Sequence, residues 1–358
     1  MATYAVSVER VRRGIRPSIG VVEIDRSGSM YRRFMDDPGL PGLTTATDAD
    51  AMCRHLSRAF GRESRQAGAC DVIPLRYKPG TSCVIRYELG PPEASRSVTG
   101  KVFASDVQRH AATLAALAEA SAGSADLPRV VAPIGVWPEL GLIVQGAIDG
   151  ADLTTAALDR SSTVSARSEL MRQVGRALAA LHTIVRAAGP SARWGRDLEE
   201  LVTYRSLFHQ LTPALARPVD DLIRRLRAQA RQLPDPAPVP SHGALRTDQV
   251  LVGPHGGLVL LDLDGFCWAN PARDLANLLA YMEWRAIRRP SEAAIVATAS
   301  GAVLDGYAGL AQAPHPGWLR AYRAATLVKI AGRRLRRLAV DEWPAVPELI
   351  ACAGRVVA

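Results

Sequence analysis

The sequence is almost without lysine: Lys78, Lys101 and Lys329 stand against 41 arginines in 358 residues. The net charge is +9, but the arginines are spread along the whole chain. Aromatic residues make up only 5% and are not interleaved with the basic ones, so the stacking surface that single-stranded nucleic acid needs is missing. Nucleic acid is therefore set aside as a partner. No run approaches the ~20 apolar residues of a bilayer-spanning helix, and the start, MATYAVSVERVRR, lacks the apolar stretch of a secretory signal. No membrane partner and a cytoplasmic location are the expectation. The five cysteines are odd in number, scattered and never spaced C-x-x-C, which argues against a disulfide framework or a structural zinc site. No internal repeat is present, so a solenoid is excluded. What is there is a globular balance, 48% hydrophobic and 22% charged. At ~150 residues per domain the length suits about two domains.

Two halves of different character follow from the patterning. An arginine-rich extension over 1–35 carries the strand-like run 19–25, and prolines and glycines at 37–43 read as turns. A helix is expected over 47–65 with Asp48 as N-cap. Three strands, 72–78, 83–89 and 98–103, are joined by segments of hairpin length. A helix over 106–122 precedes two more strands, 130–134 and 141–148. After Asp149-Gly150 the pattern turns helical: 166–185, then 197–232 as one long or two shorter helices broken at Pro213. The proline-rich 234–240 must be extended. Two short apolar segments, 249–252 and 258–262, interrupt the helices before 272–289, 291–312, 318–339 and 345–353. The expected domains are 1–148, a β-sheet lobe with its N-terminal extension, and 149–358, a mostly helical lobe; the fold class is α+β.

The chemistry concentrates in Ser241-His-Gly-Ala-Leu-Arg-Thr-Asp-Gln249, then Leu260-Leu-Asp-Leu-Asp264, then Asn270-Pro-Ala-Arg-Asp274. A polar loop followed by a hairpin presents Asp262 and Asp264 at its end, with Gln249 on the opposing side. Oxygen ligands offered from a hairpin suit a hard divalent cation such as Mg2+.

This ordered set, with matching elements over roughly residues 70–285, resembles the aminoglycoside phosphotransferase and choline kinase superfamily. The usual form there is H-G-D-x-x-x-x-N, an apolar hairpin and D-x-D. The resemblance implies a two-lobed protein-kinase-like fold and ATP- and Mg2+-dependent transfer of a γ-phosphoryl group to a hydroxyl. His242 and Gly243 match, Gln249 stands where Asn is usual, Asp262 matches the metal-chelating aspartate, and Pro271 and Asp274 match the motif that anchors the next helix. The departure is Ala244, where the family has its catalytic carboxylate; its absence should cost powers of ten in rate. Three explanations stand open: alteration of one residue in a working site, a natural pseudokinase, or takeover by another base, for which Asp248 and Asp264 are the candidates.

The resemblance also assigns the sheet half. Lys101 falls on the third strand, where kinase-like folds keep a phosphate-gripping lysine, although a surface lysine is the plain alternative. Glu119 on the next helix is its candidate carboxylate partner, and the strand around Gln145 and Ala147 is the adenine-facing hinge. The turn Pro79-Gly80-Thr81-Ser82 is placed to cover phosphates with backbone N–H groups, and reads equally as an ordinary hairpin turn. His182, ending an apolar helix, reads as structural, and Arg76 and Arg86 as a solvated sheet face. The arginine excess disfavours a polycationic acceptor, leaving a neutral sugar, a small metabolite, or a peptide Ser/Thr in a natural-product pathway. The alternative is a pseudokinase binding nucleotide or peptide as a scaffold for a partner enzyme.

Overall fold

The computed structural model describes residues 22–24, 30–32, 37–60, 70–90, 96–124, 126–159, 161–184, 189–254 and 256–358. Most of residues 1–35, and the stretches 61–65 and 91–95 of the expected helix and turn, lie outside the described residues. The chain divides into two compact units, Met1–Ala115 with Val131–Ile148, and Ala116–Val130 with Asp149–Ala358.

In the first unit, β1 (Val22–Ile24) and β2 (Met30–Arg32) pair antiparallel. Then come α1 (Leu43–Ala46) and α2 (Ala49–Ala59). Asp48 caps α2, its carboxylate accepting the Ala51 N–H at 2.7 Å. The three expected strands are β3 (Cys70–Lys78), β4 (Ser82–Leu89) and β5 (Arg96–Phe103), followed by α3 (Val107–Ala122), of which the part up to Ala115 belongs to this unit and the rest to the second. The expected strand over 130–134 is two strands. Pro133 offers no N–H to continue a ladder: β6 (Arg129–Val130) joins a sheet of the second unit, whereas β7 (Pro133–Trp137) pairs with β8 (Leu142–Gly146). The resulting antiparallel sheet has the order β3-β4-β5-β8-β7.

Alternation gives this sheet two apolar faces. Cys83, Ile85, Tyr87, Val98, Val102, Leu142 and Val144 pack under Leu40, Leu43, Ala46, Met52 and Leu56 of the α1–α2 segment. Phe103 and Ile143, on the other face, pack against Val107 and Ala111 of α3.

The second unit runs β9 (Ala151–Asp152), α4 (Leu153–Leu158), α5 (Val164–Leu181), β10 (Ser191–Ala192), α6 (Trp194–Leu211) and α7 (Pro213–Ala230). Pro213 opens α7 at its first turn, where no N–H is missed, so 194–230 is two helices. Next come β11 (Val239–Ser241), β12 (Val250–Val252), β13 (Leu258–Leu260) and β14 (Cys267–Ala269). The chain closes with α8 (Ala272–Arg288), α9 (Ala293–Ala308), α10 (Pro316–Arg336) and α11 (Val346–Val357). One apolar core joins α6, α7, α8, α10 and α11.

Candidate active site

Two strand pairings bring the loops of the second unit together. The loop 242–249 leaves β11 and enters β12; the loop 261–266 leaves β13 and enters β14. Since β11 pairs with β14 (Ser241 opposite Cys267) and β12 with β13 (Val250 opposite Leu260), both ends of one loop are fixed beside both ends of the other. Buried Leu245, Leu263 and Phe266 anchor them in the core.

Within this frame Gln249 and Asp262 meet: the Gln249 side-chain amide donates to Asp262 Oδ2 at 2.9 Å. Gln249 is buried, and its Oε1 has no hydrogen-bond partner among the described residues. Asp262 itself stands in the left-handed backbone region, φ 60° and ψ 46°, a conformation disfavoured for residues other than glycine and concentrated at functional sites. Asp264 is exposed. Among the described residues no three His, Cys, Asp or Glu side chains are grouped to hold a metal, so an ion here would rest on Asp262, the Gln249 amide oxygen and groups the protein does not supply. The unpartnered buried oxygen beside a carboxylate fits Mg2+, which keeps several waters and phosphate oxygens in its shell.

His242 and Gly243 are held from below by Asp274 on α8. Its Oδ2 accepts the His242 backbone N–H at 2.6 Å and its Oδ1 the Gly243 N–H at 2.8 Å. His182 lies 3.4 Å from the same carboxylate and 2.8 Å from the Tyr307 hydroxyl. His182, His242, Asp274 and Tyr307 are buried and Gly243 is half-buried. Burial pushes the Asp274 carboxyl up, but the His182 hydrogen bond and the His182, His242 and Arg273 charges outweigh it and hold it below the ordinary carboxylate range. The His242 ring donates from Nε2 to the Leu261 carbonyl at 2.9 Å, tying one loop to the other. Gly243 is required: at φ +82° a Cβ there would lie 2.0 Å from the Gly265 carbonyl oxygen.

Ala244 is exposed. Of the two substitute bases, Asp248 has both oxygens engaged by the Arg246 fork, at 2.7 and 3.0 Å. Arg246 in turn lies 5.4 Å from the centre of the Tyr281 ring. The sequence leaves Arg246 unassigned and reads His182 as structural, and the structure places His182 buried between Asp274 and Tyr307.

In the first unit Lys101 lies opposite Val84 and Ile143, its Nζ 5.2 Å from the centre of the Phe103 ring. His110 of α3 stacks on the same ring at 4.9 Å, with its Nε2 3.0 Å from Ser105 Oγ. Glu119 is exposed and makes no ion pair among the described residues. The Gln145 side chain donates to the Val131 carbonyl at 2.5 Å, and the Ala147 N–H to Ser97 at 3.3 Å. Ser82 is buried opposite Phe103. The backbone donors of the turn are engaged, Gly80 N–H by Asp37 and Thr81 N–H by the Lys78 carbonyl.

The fold is shared with solved kinases of small molecules. Spectinomycin phosphotransferase, solved with ADP and spectinomycin, is 12% identical over 86% of this chain and 98% of its own, with a TM-score of 0.59. A choline/ethanolamine kinase family protein from Mesorhizobium loti is 16% identical over 85% and 95%, TM-score 0.54. A choline kinase from Streptococcus pneumoniae is 14% identical over 83% and 99%, TM-score 0.53. The architecture is thus the α+β protein-kinase-like fold, a small antiparallel sheet with a larger helical part. No curated protein matches the sequence. A model of the phosphotransferase enzyme family matches residues 98–313, which include both loops, Lys101 and Asp274, and the chain belongs to that family.

Proposed function

We propose that the chain binds a nucleoside triphosphate with Mg2+ and has the frame for transferring its γ-phosphoryl group to a hydroxyl of a small molecule, its base position being silenced by Ala244. The observation that carries this reading is the Gln249–Asp262 pair, with a buried amide oxygen left open beside a carboxylate. Those two residues would hold the ion, which when bound supplies charge neutralisation for the phosphates. Asp274 fixes the backbone of His242 and Gly243, and His242 fixes Leu261, so both loops keep their shape without reorganising on binding. Lys101 serves as the phosphate-gripping cation of the sheet, with the 79–82 turn covering the phosphates and the strand at Gln145–Ala147 meeting the base. A peptide Ser/Thr in a natural-product pathway is a second acceptor class. The exposed Ala244 favours one further reading, a pseudokinase scaffold serving a partner enzyme.

The test installs Asp at position 244 (Ala244→Asp) and compares ATP turnover with the unaltered chain. A general base contributes about 10²–10⁴-fold. Gain of turnover on that scale establishes a disabled enzyme; unchanged inactivity with intact ATP binding establishes the scaffold. Lys101→Ala and Asp262→Ala should each weaken Mg·ATP binding, and an unchanged affinity in both overturns the nucleotide reading.

A further inference from the structure

The turn Pro79–Ser82 is braced from the side of the sheet opposite Lys101. Cross-strand partners share a face. Arg76, Val84, Lys101 and Ile143 form one register row, and Lys78, Ser82 and Phe103 the next row on the same side. Tyr77, Cys83, Val102 and Leu142 lie on the other side, the one covered by Leu40, Leu43 and the α1–α2 segment. Asp37 opens that covering segment. Its Oδ2 accepts both the Tyr77 hydroxyl and the Gly80 N–H, each at 2.8 Å, and its Oδ1 accepts the Gly39 N–H at 2.9 Å. The two backbones touch: a Cβ on Gly39 would lie 2.6 Å from the Gly80 Cα. Gly80, at φ +62° with open space where its own Cβ would be, is the turn's exposed tip and has no apolar packing to hold it.

We propose that Asp37 is a positioning residue for nucleotide phosphates, holding the Pro79–Ser82 turn in shape from behind so that its Lys101 side is preset for the triphosphate. This rests on the reading that the turn covers phosphates. The physical cause is ordering cost: a glycine turn without the carboxylate samples many conformations, and binding must then freeze one. The Gly80 hydrogen bond, foremost, holds the Asp37 carboxyl below its ordinary value, so near neutral pH the brace is a charged acceptor that titration does not release.

The experiment measures ATP and adenosine affinity by calorimetry for the unaltered chain, Asp37→Ala and Asp37→Asn, with amide exchange at Gly80 as a direct report on the brace. Asp37→Ala should weaken ATP by about tenfold, the scale of losing preorganisation in one short loop. Adenosine, which has no phosphates for the turn to meet, should bind within about twofold of the unaltered chain, and Gly80 exchange should accelerate. Asp37→Asn keeps an acceptor for Gly80 and should hold ATP within about threefold. Equal loss of ATP and adenosine, or ATP affinity untouched by Asp37→Ala, overturns the inference. If the unaltered chain binds no ATP, the nucleotide reading falls and this inference with it; if it binds ATP that Asp37→Ala leaves unchanged, this inference alone falls.

Discussion

Replacing Asp274 by Asn tests whether the frame of the second unit depends on one buried carboxylate. The substitution conserves volume and changes only charge and donor pattern. Asp274 accepts two backbone N–H groups, at 2.6 and 2.8 Å, and neighbours His182. Hydrogen bonds to charged groups contribute ~1.5–3 kcal/mol each. Asn keeps one oxygen, so one bond is lost and its backbone N–H, buried, faces an NH2 donor at a further ~1–3 kcal/mol. The sum is ~3–5 kcal/mol, allowing for partial relaxation. At ~2–4 °C per kcal/mol for a unit of this size, the melting temperature should fall by about 6–20 °C. Scanning calorimetry reads the shift, and amide exchange at His242 and Gly243 locates it. A fall below about 2 °C, with both amides still protected, would refute the assignment of Asp274 as the strut of the loop.

Gly243→Ala should lower the melting temperature by roughly 5–10 °C, because its Cβ would strike the Gly265 carbonyl and its φ is positive. Gly253→Ala, whose Cβ meets its nearest neighbour at 3.4 Å, is the control and should shift it far less. A third expectation concerns acid. Burial raises the Glu200 carboxyl, but Lys329 and Arg333 outweigh it and bring it down to about 2 from 4.5. A depressed carboxyl contributes stability above its unfolded value and loses it as pH falls towards the folded one, so the loss runs from pH 4.5 to about 2. The Glu200 side chain is 36% exposed, so solvent screening limits the contribution to ~1 kcal/mol. Glu200→Gln should flatten urea-unfolding stability across that window and leave its slope above pH 6 unchanged.

Much of this was legible in the sequence because local chemistry and fold agree. The strands 83–89 and 98–103 alternate and all three strands are bounded by turn residues, although 72–78 shifts register between Pro74 and Arg76, and the D-x-D and P-x-x-D spacings are present in the sequence. Gln249 was placed opposite Asp262 from hairpin length alone, and the structure joins them at 2.9 Å. What escaped depends on long-range placement. No periodicity announces that Asp37 reaches Gly80, 43 positions on, or that His182 shares a carboxylate with a loop 60 residues away. The strand expected over 130–134 failed because an apolar run does not reveal that its two ends join different sheets, although Pro133 marked the break.

Position 244 contributes no side-chain contact to the frame of the two loops. Every contact that shapes the two loops bypasses it. Asp274 grips residues 242 and 243, Asn277 donates to the Leu245 carbonyl at 2.6 Å, His242 reaches Leu261, and Gln249 reaches Asp262. Ala244 is exposed among them and its side chain anchors none of these bonds. On the proposed reading, a carboxylate at this point would be free to meet a substrate hydroxyl without costing the frame anything, and Ala244 withholds that proton acceptor while leaving the frame of the two loops in place. His242, Asp262 and Asp274, and the Gln249 that stands where Asn is usual, are therefore accounted for by folding as much as by turnover. Only installing the carboxylate distinguishes an enzyme short of its base from a binding protein built on the same frame.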